Sequence, residues 1–145
     1  MIKLDELSEL WAKDALIDET NISREILNIP QLHAKYIKIL NDAKLMAIKC
    51  KIDYNTMKEL RSAYYLGQLD EETLKEKGWD QFDLHITKGS LDRYLDADEY
   101  LNKLIQRKFY YEQISSTVES ILNELKQRTW QLKCYVDYIK FLNGS

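Results

Sequence analysis

This sequence predicts an all-α protein, and three observations carry that reading. Between Leu32 and Tyr64 an apolar residue recurs in alternating steps of four and three: Leu32, Tyr36, Ile39, Ala43, Met46, Cys50, Met57, Leu60 and Tyr64, with only Asp53 breaking the row. A second row runs Ala97, Leu101, Leu104, Tyr111, Val118, Leu122, Leu125, Leu132, Val136 and Ile139, interrupted by Lys108, Ser115 and Thr129. A 3.5-residue period held over several heptads marks long helices that pack along a seam. The third observation is punctuation. The chain has one proline and four glycines, and Gly67, Gly78 and Gly89 all fall between the two rows, so turns are few and elements long. The expected architecture is a short N-terminal helix plus two long antiparallel helices in a coiled-coil-like hairpin, with a small acidic lobe between them.

The elements follow in order. Leu4, Leu7, Trp11 and Ala15 stand at helical spacing and predict an amphipathic helix near residues 2–16, broken by Asp18-Glu19-Thr20-Asn21. A brief helical turn is expected at Ser23–Asn28 with Ser23 as its N-cap. Pro30 suits the first turn of the first long helix, where its missing N–H costs nothing. That helix runs to about Leu66 and ends at Gly67, which can take the left-handed cap conformation. At ~1.5 Å per residue it spans roughly 55 Å. Asp70-Glu71-Glu72 opens a short helix that Gly78 closes. Phe82, Leu84 and Ile86 alternate through Gly78–Lys88, which reads as a lone strand or an extended strap; a strap lying against the helices is preferred, since one strand makes no sheet. A helical turn starts at Ser90-Leu91-Asp92-Arg93, and the second long helix runs from about Asp96 to Leu142. All of this fits one helical domain of 145 residues, in segments 1–29, 30–67, 68–96 and 97–145.

Several function classes lack their marks. His33 and His85 are the only histidines and stand far apart, so no metal site is expected. No phosphate-loop, dinucleotide-binding or nucleophile-elbow motif occurs, and neither a catalytic residue nor a cofactor is assigned. The acidic clusters Asp70-Glu71-Glu72 and Asp96-Ala97-Asp98-Glu99 read as helix N-termini. No membrane-spanning run and no signal-peptide core is present. Cys50 and Cys134 read as reduced packing residues of a cytoplasmic protein, with an oxidised pair as the alternative.

Net charge is −3, but its distribution is uneven. Segments 1–29 and 68–96 each carry −4, segment 30–67 carries +4, and segment 97–145 carries +1. The first long helix is therefore a basic element between acidic ones, and a polyanion is drawn to it and pushed off its neighbours. Lys44, Lys51 and Lys58 lie seven apart, Arg61 follows, and Tyr64 and Tyr65 continue where the stripe ends. Cations beside aromatics hold single-stranded nucleic acid by tracking phosphates and stacking on bases. A solvated helix face is the blander account, and on composition alone the nucleic-acid reading does not win over it. Asp53, Lys108 and Ser115 interrupt the seams; Asp53 and Lys108 could pair within the hairpin or across subunits.

The stretch Leu4-Asp5-Glu6-Leu7, then Lys13-Asp14-Ala15-Leu16-Ile17-Asp18-Glu19-Thr20, and at a distance Arg61-Ser62-Ala63-Tyr64-Tyr65-Leu66-Gly67, resembles the UvsY family of phage recombination mediators. Its pattern is a helix ending in K-D-x-x-I-D-x-T, then a long helix closing on a basic segment and Y-Y-x-G. Ile29–Tyr36 and Arg128–Lys133 look like versions carried by marine T-even-like phages. The resemblance implies a non-enzymatic recombination accessory factor in the cytoplasm of an infected bacterium. Its implied partners are single-stranded DNA, a RecA-like recombinase of the UvsX type, single-strand-binding protein and itself, as a hexamer or heptamer. In the family a K-x-R segment precedes Y-Y-x-G. Arg61 matches the arginine, Glu59 stands where the lysine would be, and Lys58 comes one residue early, ~100° round the helix. The expected DNA contacts are Arg61, Lys58, Lys51 and Lys44, with Tyr65 stacking. Val118, Leu122, Leu125, Leu132, Val136 and Ile139 are the expected assembly residues. The alternative function is a coiled-coil scaffold that binds only protein.

Overall fold

The computed structural model describes residues 1–144, and they form five α-helices: α1 Leu4–Asp14, α2 Ile22–Tyr65, α3 Glu71–Lys77, α4 Lys88–Asp96 and α5 Glu99–Leu142. Among the described residues there is no strand, and no helix is long and apolar enough to cross a membrane. The chain divides into two compact units, Met1–Leu45 with Tyr111–Ser145, and Met46–Tyr110.

Unit 1 packs α1 against α2 and α5. Glu6 accepts from the Lys3 N–H at 2.9 Å, half of a capping box that starts α1. Its core is Leu7 from α1, Leu32, Tyr36, Leu40 and Ala43 from α2, and Ile114, Val118, Ile121 and Leu125 from α5. Within this unit α2 and α5 are antiparallel, since Lys44 meets Glu119 at 3.2 Å while Ile29 and Pro30 face Lys126 across one groove. The end of α1 is pinned on both sides. Lys35 Nζ and the Tyr36 hydroxyl donate to Asp14 Oδ2 at 2.6 and 2.8 Å, and Arg128 donates to the carbonyls of Asp14 and Ala15 at 3.0 and 3.2 Å. A helix C-terminus leaves carbonyls unmet, and a buried arginine from α5 meets them here. The K-D-x-x-I-D-x-T motif thereby acquires a structural role. Asp14 anchors α1, and Asp18 turns the chain by accepting from the Thr20 N–H at 3.0 Å.

Four expectations change. Helix α2 starts at Ile22, with the Asn21 side chain accepting from the Arg24 N–H at 3.4 Å, so Asn21 rather than Ser23 caps it and Pro30 lies inside the helix. The carbonyl that loses its donor belongs to Ile26, an exposed residue, so water can serve it. Leu101 of the expected row is buried in unit 2, and in unit 1 the buried row of α5 is Ile114, Val118, Ile121, Leu125, Arg128 and Leu132, with Ser115 beside it. It shares Val118, Leu125 and Leu132 with the expected row but takes Ile121 and Arg128 instead of Leu122 and Thr129. Those three shared residues are buried within unit 1, so they offer no surface to a second chain; Leu122, Val136 and Ile139 are half-buried. Finally, Cys50 is buried as expected but Cys134 is exposed, and both are free thiols.

Unit 2 holds the end of α2, the acidic lobe and the start of α5. Gly67 and Gly78 sit at φ +70° and +68°. Gln68 N–H donates to Ala63 O at 2.9 Å and Trp79 N–H to Leu74 O at 3.0 Å, the Schellman endings expected of α2 and α3. Asp70 caps α3 through the Thr73 N–H at 2.8 Å. The segment 79–87 after Gly78 is neither helix nor strand, and its Phe82 packs on Tyr64, Tyr65 and Tyr94 within the unit.

Candidate nucleic-acid interface

The basic stripe lies on α2, whose helical repeat puts every seventh residue on nearly the same line, drifting by ~20°. Lys51 and Lys58 are exposed, and among the described residues neither has an ion-pair partner. In unit 1, Lys44 meets Glu119 at 3.2 Å with both side chains about half exposed, a contact worth little in water and open to exchange for a phosphate. Asp53 is exposed rather than on the seam, where Tyr54 is half-buried in its stead.

Arg61 goes elsewhere. It lies ~60° round the helix from Lys58, and that turn carries it from solvent into the unit, 8% exposed. Its Nε donates to Asp98 Oδ2 at 2.6 Å and its Nη2 to the Tyr65 hydroxyl at 3.3 Å. Four rings surround the guanidinium, Tyr64 at 4.3 Å, Trp79 at 4.5 Å, Tyr100 at 4.8 Å and Tyr65 at 5.1 Å from ring centroid to Cζ. Such contacts are strongest when desolvated. The rings brace one another: Trp79 Nε1 donates to the Tyr100 hydroxyl at 2.8 Å, and the Tyr64 hydroxyl donates to Asp80 O at 2.7 Å.

Asp98 joins this box to α5. Its Oδ2 accepts from Arg61 and from the Tyr65 hydroxyl at 2.7 Å, while Oδ1 accepts from the Leu101 N–H at 3.0 Å and so caps the helix. Burial opposes ionisation of Asp98, but the hydrogen bonds from Tyr65, Arg61 and Leu101 outweigh it, and its pKa falls below the usual carboxylate value. Burial likewise works against the Arg61 cation, and its bonds to Asp98 and Tyr65 reverse that, raising the pKa. The Tyr65 hydroxyl is pushed up by burial and then by Asp98. A buried charge is tolerable only when paired and hydrogen-bonded, and this pair meets both conditions.

The expected contacts therefore separate into two sets. Lys51 and Lys58 form an open basic line. Arg61 and the Tyr65 hydroxyl belong to a closed ionic and aromatic box with their polar groups already engaged, while the Tyr65 ring also lines an open cleft. Sequence reasoning missed Asp98 as a partner because its acidic cluster was accounted for by helix capping, which it also performs.

Residues 10–145 match the family described as the recombination, repair and ssDNA binding protein UvsY. The recombination protein uvsY of Enterobacteria phage T4 is 23% identical over 144 residues, covering 99% of this chain and all of that protein. The fold matches a crystal structure of the bacteriophage T4 recombination mediator protein UvsY (lattice type II), with a TM-score of 0.84, 22% identity and 99% of both chains covered. A second lattice (type I) gives 0.82 at 23% identity, over 94% of this chain and 98% of that one.

Proposed function

The chain belongs to the UvsY family of recombination, repair and single-stranded-DNA-binding proteins, and from that premise we propose that it is a recombination mediator. It binds single-stranded DNA along α2 and helps a RecA-like recombinase displace single-strand-binding protein. It supplies no chemistry of its own and works in the cytosol of the infected host. The observation that carries this reading is the open line of Lys51 and Lys58 one heptad apart, with Tyr65 at the next step. Those two lysines, with Lys44 a heptad earlier, are the phosphate contacts.

One short stripe is a weak site, which suits a protein that must hand its strand over. Assembly into a ring-like hexamer or heptamer multiplies it, since linked sites raise avidity by ~10²–10⁴. The C-terminal part of α5 supports that assembly, because Trp130, Tyr138 and Phe141 leave 65%, 58% and 79% of their surface in water. Trp130 and Phe141 lie within ~20° of one another round the helix, so they offer one aromatic face to a second copy.

The experiment is a loading assay. A RecA-type recombinase is added to a strand already coated with single-strand-binding protein, and filament formation is followed with and without this protein. Faster loading that Lys51→Ala with Lys58→Ala abolishes is the expected result. Loading unaffected by the protein would leave a protein-binding scaffold.

A further inference from the structure

Adjoining the Arg61 box, unit 2 carries an open cleft of about 300 Å³ lined by Tyr65, Arg93, Tyr94 and Ala97. The rings of Tyr65 and Tyr94 stand 5.4 Å apart at 42°, so part of the lining is aromatic. Arg93 is exposed, and among the described residues it has no ion-pair partner, which leaves a planar donor fork at the rim. Ala97, expected on the apolar seam, is exposed instead, and its small side chain leaves the mouth open. Tyr65 is held by its hydroxyl bond to Asp98 and by Phe82 at 5.1 Å. A ring already fixed loses little freedom when something stacks on it.

We propose that this cleft takes one nucleobase of the bound strand, stacked on Tyr65 with the tilted Tyr94 ring against its edge, and Arg93 on an adjacent phosphate. The proposal rests on the single-strand reading above. The path to it is set by α2, where Lys51, Lys58 and Tyr65 lie seven residues apart; phosphates that follow the lysines bring a base to the cleft. The lobe that carries Arg93 is acidic over 68–96, so it repels a run of phosphates and admits one nucleotide. A base paired in a duplex has no face to offer, and the cleft therefore adds selectivity for single strands. Base–aromatic stacking is tolerant of sequence because every base has a π-face.

The test is fluorescence anisotropy of the full chain with labelled oligo-dT and with an abasic oligonucleotide of equal length. The wild type is expected to prefer oligo-dT by about fivefold or more, since one stacked base supplies roughly five- to 150-fold. Ala97→Phe, which fills the mouth, should abolish that preference, and Arg93→Ala should weaken both strands several-fold. Ala97→Gln serves as the smaller filler if the Phe variant changes the circular dichroism. Equal binding of both strands by the wild type, a preference that survives filling, or unchanged binding by Arg93→Ala overturns the cleft. Lys58→Ala distinguishes the two readings. If it weakens both strands while the cleft variants behave as wild type, only the cleft falls; if the wild type binds neither strand, the single-strand reading falls with it.

Discussion

Arg61 and Lys58 stand three residues apart, yet their substitution should fail in different ways. Removing one partner of a buried ion pair typically costs ~3–5 kcal/mol, because the other charge stays behind. Arg61→Ala should therefore lower the stability of unit 2 by about that much, leaving Asp98 buried without its cation. Arg61→Lys should rescue little of it, since an ammonium cannot reproduce the planar fork among four rings. Lys58→Ala, at an exposed position, should change stability by less than ~0.5 kcal/mol while weakening DNA retention. Urea denaturation beside a binding titration separates the two; loss of binding by Arg61→Ala without loss of stability would contradict the box. Asp98 adds a pH signature. Its folded pKa lies below the ordinary value, so its contribution is complete above the unfolded pKa of ~3.9 and is lost as pH falls through the folded one. Acid titration of the melting temperature should show that loss, and Asp98→Asn should remove this acid-dependent component.

At the scale of elements, both long helices and the lobe between them were legible, because period and glycine placement are local signals. The phase of α5 was not. Ile121 and Leu122 are adjacent apolar residues that serve either register, and Arg128 looks like surface until the carbonyls of Asp14 and Ala15 are seen to need a donor 114 and 113 residues away. Arg61 was legible as a cation among tyrosines, but an open stacking site and a closed box have the same residues. What separates them is Asp98, 37 residues on. Pro30 shows the limit of position rules: a capped start at Asn21 carries the helix across it. A proline inside a helix costs up to ~3 kcal/mol relative to alanine. Pro30→Ala should raise the stability of unit 1 by about 1–3 kcal/mol, measured by urea denaturation; a destabilisation would mean that the ring is needed for packing. By contrast, Leu7→Ala should cost ~2–5 kcal/mol, since Leu7 is fully buried where α1 meets the core.

For the whole molecule, the proposed function puts assembly and DNA binding on different residues, so the two should separate. Tyr138→Asp with Phe141→Asp, both exposed near the end of α5, should shift the sedimentation coefficient towards the monomer with helicity unchanged. Tight DNA retention should then fall with avidity, not with loss of the stripe. A variant that stays fully assembled would move the assembly face elsewhere. The central claim is that the chain holds single-stranded DNA by phosphate contacts from the open lysines of α2. Anisotropy of a labelled oligo-dT, titrated at several salt concentrations beside a matched duplex, tests it most directly. Binding should favour the single strand, fall linearly in log–log form with salt, and lose ~0.7 of slope per stripe lysine removed from each contacting subunit. Binding with no salt dependence, or a slope unchanged in the Lys51→Ala, Lys58→Ala protein, would contradict it.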